Sequence, residues 1–377
     1  MYGLVLGGGG AKGAYQIGVW KAIKELGIEV GYVCGTSVGA LNGAFFAQKE
    51  YDIAYKMWSE LGMDQVFNAD KETFEQIDKI AQEGLLATTF SFIKKTTKLI
   101  WDSKGLDISP LRDMIAEHLD EDKIRNSDIG FGLVTLSVND RKGLRLNVED
   151  IKEDELKYYL VGSAMIPGFT QDESFDKKFI DGGIYDNYPI KMAYEKGYRK
   201  IIGVNLFTNK IKSKYKEADV IGIGPSKSLG NILYFNKENA IENIQLGYLD
   251  TLKAFGKVEG EEYYFTNVPE ETQLTKLLTK ISEEDKQKLS KLLLRKDLLN
   301  DKMFYEKVLH KLGKELEIPW EGSYKDLYKR ALEFILSKQK VEEREIHDYM
   351  EMAKDIKDVK GNKIIKAAAI LLKSLQE

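Results

Sequence analysis

The stretch Ile28-Glu29-Val30-Gly31-Tyr32-Val33-Cys34-Gly35-Thr36-Ser37-Val38-Gly39-Ala40-Leu41-Asn42-Gly43-Ala44-Phe45 decides how this chain folds. Its first part, Ile28 to Cys34, is apolar and partly β-branched and reads as a strand. Its last part sets Ala40, Leu41, Ala44 and Phe45 at helical spacing. Between them Gly35-Thr36-Ser37-Val38-Gly39 fits G-x-S-x-G, the pattern of a serine on a tight strand-to-helix turn. Neighbouring segments approach such a turn too closely for side chains, which gives Gly35 and Gly39 their use. The Ser37 hydroxyl is then exposed, and helix N–H groups point at whatever is attached to it. A chemically inert glycine-rich turn fits the same five residues, so the rest of the chain has to separate the two readings.

Upstream, Tyr2 to Leu6 reads as a first buried strand, followed by Gly7-Gly8-Gly9-Gly10-Ala11-Lys12-Gly13 and then by an amphipathic helix marked by Ile17, Trp20, Ile23 and Leu26. This is a strand, loop and helix anion cradle. Gly8, Gly10 and Gly13 also satisfy G-x-G-x-x-G, so a dinucleotide site is a rival. That site needs an acidic residue closing the second strand, and here the strand closes in Cys34-Gly35-Thr36-Ser37, with Glu29 only near its start. A Walker loop does not fit, because Lys12 precedes the last glycine and no Lys-Ser/Thr follows. Free N–H groups beside a serine elbow are what an oxyanion hole requires.

Downstream, residues 51–86 have a helical pattern. In 86–104, Phe90, Phe92, Ile93 and Trp101 interleave with Lys94, Lys95 and Lys98, which suits either a lid that meets anionic head groups or an ordinary cap helix. Residues 106–119 read as a helix carrying His118 on its face, and Phe131 to Val138 as a strand able to pair with Arg141 to Val148 as a hairpin. Tyr158 to Thr170 reads as a helix stopped at Pro167-Gly168. Phe179-Ile180-Asp181-Gly182-Gly183 gives a short strand that delivers a carboxylate into a glycine turn. Lys200 to Phe207 is a further strand, and Asn231 to Phe255 a long helical stretch.

The totals bound the rest. The 377 residues suffice for two domains, read as 1–268 and a Lys/Glu/Leu-rich helical region at 269–377. With 43% hydrophobic and 31% charged residues and a net charge of −4, the chain has no global attraction to nucleic acid. Its single cysteine, Cys34, rules out an internal disulfide. No signal peptide is read at the start, and no apolar run approaches the roughly 18 residues of a spanning helix, so the expected location is cytoplasmic with contact to membranes at their surface. The last helix, read at 354–375, sets Lys357, Lys360, Lys363 and Lys366 beside an apolar stripe that suits either a membrane surface or packing on the main domain. No cluster with metal-ligand spacing occurs, and no cofactor is expected.

In chain order these pieces are a Gly-rich loop, a serine elbow and an Asp-Gly-Gly turn. Together, over residues 1–265, they resemble the patatin-like phospholipases, as do Ser163-Ala164-Met165-Ile166-Pro167-Gly168 and Asn187-Tyr188-Pro189. The resemblance implies an α/β fold, three-layered with a largely parallel central sheet, followed here by C-terminal helices that have no family counterpart. It implies hydrolysis of phospholipid or related lipid esters by a dyad, with Ser37 as nucleophile, Asp181 as base and the amides of Gly8, Gly9 and Gly10 as oxyanion donors. Lys12 stands where some members carry arginine, which loses a planar bidentate contact. Gly35, Gly39 and Gly182 support the site. A Ser-Asp-His triad would have to recruit His118, His310 or His347, and the last two lie in the charged helical region. A dyad needs Asp181 lifted from the ordinary carboxylate range near 4 by desolvation. The expected partner is a lipid ester met at a membrane surface. The alternatives are a nucleotide-binding protein using Gly8 to Gly13 and a catalytically inert lipid-binding protein.

Overall fold

The computed structural model describes residues 1–83, 106–171, 174–208, 215–356 and 361–375. The candidate lid at 86–104, and Lys357 and Lys360 of the last helix, lie outside the described residues. Two compact units emerge, Met1–Ala254 and Phe255–Glu377. The change to a Lys/Glu/Leu-rich composition near Val268 falls inside the second.

In the first unit the strands are β1 (Tyr2–Leu6), β2 (Val30–Thr36), β3 (Gly130–Ser137), β4 (Lys142–Asn147), β5 (Phe179–Asp181), β6 (Lys200–Val204) and β7 (Asp219–Ile223). Five of them run parallel in the order β3-β2-β1-β6-β7. β4 extends the sheet antiparallel on the far edge of β3, as the hairpin reading expects. Parallel strands bury both faces, and β1 accordingly has Leu4, Val5 and Leu6 all buried.

The helices are α1 (Ala14–Glu25), α2 (Val38–Gln48), α3 (Tyr51–Glu60), α4 (Lys71–Glu83), α5 (Ser109–His118), α6 (Glu121–Arg125), α7 (Leu156–Ser163), α8 (Gly183–Asp186), α9 (Ile190–Glu195) and α10 (Lys237–Ala254). Because strand side chains alternate between faces, Val5, Cys34 and Val134 turn one way and pack with Ile190, Met192 and Ala193 of α9. Leu6, Val33 and Phe131 turn the other way, where α2 approaches them at Gly43. The result is a three-layer α/β arrangement around a mostly parallel sheet.

β3 carries the geometry that matters for the site. β2 pairs along its residues 130–134, ending with Thr36 opposite Val134. β4 occupies the other edge, so β5 takes the β2 edge beyond that point, antiparallel, with Asp181 opposite Thr135. The ends of β2 and β5 therefore meet.

Several elements differ from the sequence reading. The expected 158–170 helix stops at Ser163, because the Ser163 and Met165 carbonyls accept from Gly182 and Asp181 N–H at 3.1 and 2.7 Å instead of continuing a helix. The expected 231–255 helix begins only at Lys237. Asn231 Oδ1 accepts from Leu233 N–H in a local turn that competes with helix, and Asn236 Oδ1 accepts from Asn239 N–H as the N-cap that starts the helix there. β7 falls where the sequence reads as loop; it is a partly exposed edge strand whose short apolar run, Val220, Ile221 and Ile223, is broken by Gly222.

The second unit holds α11 (Glu271–Lys280), α12 (Glu283–Leu294), α13 (Asp301–Met303), α14 (His310–Glu315), α15 (Tyr324–Gln339), α16 (Tyr349–Lys354) and α17 (Lys363–Lys373), with a π-helical stretch at Phe304–Leu309. It is mainly helical, as expected, but it also contains a two-stranded parallel sheet of β8 (Tyr264–Thr266) and β9 (Ile346–Asp348). α16 ends at Lys354, where the helix read at 354–375 begins, and α17 covers Lys363–Lys373 of it. Its apolar stripe packs inward: Ile365, Ala368, Leu371 and Leu372 are buried in a core with Leu332, Ile335 and Leu336 of α15. No helix among the described residues is long and apolar enough to cross a membrane.

Candidate active site

Ser37 sits between the last residue of β2 and the first of α2 with φ 55° and ψ −129°. A non-glycine residue there is strained, and the strain persists only where surroundings fix it. Two contacts do so. The Ser37 N–H donates to Ser163 Oγ at 2.8 Å, and Ser163 Oγ donates to the Val134 carbonyl at 2.6 Å. The flanking glycines have the expected use: a Cβ on Gly35 would run into the Gly39 backbone, and one on Gly39 into the carbonyls of Leu6 and Gly7. The sequence reading missed Ser163 as a support for the elbow, although it lies in the Ser163-Ala164-Met165-Ile166-Pro167-Gly168 stretch already singled out.

Asp181, the last residue of β5, is buried beside Ser37. Burial pushes its carboxyl up to about 6, opposed by a side-chain hydrogen bond from Ser37 and by the Gly183 N–H. The Gly183 N–H donates to Asp181 Oδ1 at 2.7 Å. The turn beyond is anchored: the Thr36 hydroxyl donates to the Asp186 carbonyl at 2.8 Å, and Arg145 of β4 pairs with the Asp186 carboxylate at 2.7 Å. Gly182 packs against the Val134 carbonyl, leaving no room for a side chain.

The Gly7–Gly13 loop lies against Ser37. A Cβ on Gly8 would stand 3.1 Å from Ser37 Cβ and 3.2 Å from the Thr36 carbonyl oxygen. The Gly7 N–H donates to the Val204 carbonyl at 3.0 Å and the Ala11 N–H to Ile232 at 2.8 Å. Between them the amides of Gly8, Gly9 and Gly10 have no hydrogen-bond partner among the described residues. Lys12 is buried, with Nζ 4.3 Å from the centre of the Phe207 ring, and burial pushes its ammonium down to about 8.

Ser37 opens onto a cavity of about 70 Å³ with mainly apolar walls from Phe45, Met57, Trp58, Phe67, Met114 and Phe235, among others. Leu111, Met114 and Ile115 of α5 line it, whereas His118, at the end of the same helix, lines a separate polar groove with Gln48 and Asp120. His310 and His347 belong to the second unit, where His310 packs edge-on against Trp320 and the His347 ring bonds the Glu342 carbonyl. His118, the histidine of the first unit among the described residues, is thus not part of the cavity at Ser37.

The model of the patatin-like phospholipase family matches residues 4–194. The chain belongs to that family. The patatin-like span contains the Gly7–Gly13 loop, Ser37, Ser163 and Asp181. Among curated proteins, "Lysophospholipase nte1" of Aspergillus terreus is 59% identical over 46 residues, 12% of this chain and 3% of that protein. "Patatin-like phospholipase domain-containing protein 7" of Rattus norvegicus is 48% identical over 61 residues, 15% of this chain and 4% of that protein. The chain thus covers only 3% to 4% of the length of these patatin-like relatives. Among solved structures, VipD from Legionella pneumophila aligns over 99% of this chain and 90% of its own at 14% identity, with a TM-score of 0.34.

Proposed function

We propose that this chain is a serine acyl hydrolase that cleaves ester bonds of phospholipids or related lipids. The observation that carries the reading is a strained serine set beside a buried carboxyl that burial pushes up to about 6, on the wall of an apolar cavity. Family membership and the lipid-esterase names of the relatives support the substrate class. A carboxylate near 6 is a better proton acceptor than a free one near 4, and it is ionised at neutral pH.

In the proposed reaction the Ser37 Oγ attacks the ester carbonyl carbon while its proton passes to Asp181. The carbonyl π electrons move to oxygen, which the amides of Gly8, Gly9 and Gly10 hold. Collapse of this intermediate breaks the bond to the alcohol, which leaves with the proton from Asp181, and an acyl-enzyme remains on Ser37. Water then gives its proton to Asp181 and attacks the acyl carbon. The fatty acid departs as the C–O bond to Ser37 breaks and Oγ regains the proton. The apolar cavity receives the acyl chain. An engineered cavity of about 150 Å³ accommodates benzene, so the smaller one here, with its walls as found, suits a short acyl segment.

The test is a panel of lipid esters presented to the wild type, Ser37→Ala and Asp181→Asn, with mass analysis of released fatty acids. Release is expected only from the wild type; undiminished release by Ser37→Ala overturns the assignment. Labelling of Ser37 by a fluorophosphonate separates a hydrolase from an inert lipid-binding protein. A rise in melting temperature with NAD or ATP would favour the nucleotide reading.

A further inference from the structure

Beneath the glycine loop lies a buried polar network that the proposed reaction does not use. Gln16 Nε2 of α1 donates to the Gly7 carbonyl at 2.7 Å, at the start of the loop. Asn42 Nδ2 of α2 donates to the Gly13 carbonyl at 3.0 Å, at the loop's end, and to Gln16 Oε1 at 2.8 Å. Asn42 Oδ1 accepts from the Trp58 indole N–H of α3 at 2.8 Å. All three side chains are buried, with 2%, 3% and 8% exposure for Gln16, Asn42 and Trp58.

The orientation of each amide is forced. Turning Asn42 over would set its oxygen against two other oxygens and its NH₂ against the indole N–H, leaving several buried groups unpaired. The chain of bonds therefore has one arrangement, running from Trp58 through Asn42 to both ends of the loop. Its outer end is a cavity wall, because the Trp58 ring and Asn42 line the space next to Ser37. The same ring packs on the loop's end: a Cβ on Gly13 would stand 2.8 Å from Trp58 Cζ2. Part of the indole faces the cavity beside Phe235, which stacks on it with ring centres 6.4 Å apart; an acyl chain adds contacts there.

We propose that Trp58, Asn42 and Gln16 are positioning residues that relay occupancy of the cavity to the oxyanion loop, so that acyl-chain length is read in turnover and not only in binding. This rests on the acyl-hydrolase reading above. A chain long enough to touch the indole holds it in the orientation that fixes Asn42, and Asn42 fixes the two loop carbonyls between which the free Gly8 to Gly10 amides are strung. An acetyl group reaches none of this and gains nothing from it. The interaction is worth most where the loop is most needed, at the tetrahedral intermediate.

The experiment measures kcat and KM for p-nitrophenyl acetate, butyrate, hexanoate and octanoate with the wild type, Trp58→Phe and Gln16→Met, alongside thermal melting. In the wild type kcat should rise with chain length until the cavity is full. Trp58→Phe keeps an apolar ring but loses the N–H: its kcat should become flat across the series, while the trend in KM survives. Gln16→Met cuts the link at the loop, and kcat should fall about tenfold or more for every ester, with KM little changed. A wild-type kcat independent of chain length overturns the relay, as does a Trp58→Phe profile parallel to that of the wild type. If Trp58→Phe does not melt cooperatively, Gln16→Met decides, and an unchanged kcat there overturns the proposal. Ser37→Ala run beside them distinguishes the two levels: persistent turnover in that variant refutes the hydrolase reading itself, whereas its loss together with parallel profiles refutes only the relay.

Discussion

Lifting a buried carboxyl from 3.8 to about 6 means that the folded chain binds a proton in that interval more tightly than the unfolded chain does. The sign follows: the contribution of Asp181 to stability is intact below about pH 4, falls as pH rises through 6, and is constant above. The difference amounts to about 3 kcal/mol at neutral pH. Asp181→Asn should therefore melt at a higher temperature than the wild type near pH 8 and lose that advantage near pH 4. Equal differences at both would contradict the account. In the wild type, kcat/KM should show an acid limb near 6. Lys12 is a second such residue, a cation in the Gly7–Gly13 loop that burial moves down to about 8. If its charge assists the loop, activity declines above that pH, and Lys12→Met should remove the alkaline limb while leaving the acid one in place. The turns at Ser37 and after Asp181 were legible in the sequence because glycines mark the tight backbone around each. Gln16, Asn42, Trp58 and Ser163 were not, since a single polar side chain on an otherwise apolar helix has no spacing that announces its partners.

At the scale of elements, α1 must be held where its Gln16 can reach the loop, and α10 holds it. A Cβ on Gly18 of α1 would strike the Ile244 carbonyl of α10, and one on Gly247 of α10 would strike the Tyr15 carbonyl of α1. The two helices thus touch backbone to backbone, reinforced by the Tyr15 hydroxyl donating to Asp250 at 2.9 Å. Gly18→Ala should cost about 1–3 kcal/mol in chemical denaturation, by forcing the helices apart; a change below the error of the measurement would show the contact to be slack. The strands around the elbow were readable because buried parallel strands are continuous apolar runs. The pairing of β5 with β3 was not, because three residues carry no register of their own. Helix ends were misplaced where side chains or strand ends captured backbone groups, as Asn236 and the Met165 carbonyl do.

At the scale of the molecule, each unit has its own interior. The second is tied together by Glu333, fully buried, whose Oε1 accepts from the Glu261 and Glu262 amides at 2.6 and 3.2 Å while Arg330 pairs with Oε2 at 2.9 Å. Leu332→Ala, in the core beside it, should destabilise that unit by about 2–5 kcal/mol. Calorimetry should show this as a lowered transition, with ester hydrolysis at room temperature unchanged; loss of hydrolysis without a shifted transition would contradict it. The composition change near Val268 announced a second body but not its limits, since β8 precedes that change and pairs with a strand some eighty positions on. In the first unit, the tips of β2 and β5 stop at neighbouring rungs of β3. β3 thus acts as a ruler: the gap between hydroxyl and carboxyl is set by one peptide of its backbone, whatever length of chain loops out between them. Those loops are free to be lengthened, shortened or exchanged, provided that each returns to its rung. Slipping β5 by a single residue would turn the carboxyl to the opposite face of the sheet and part it from the hydroxyl without altering either residue.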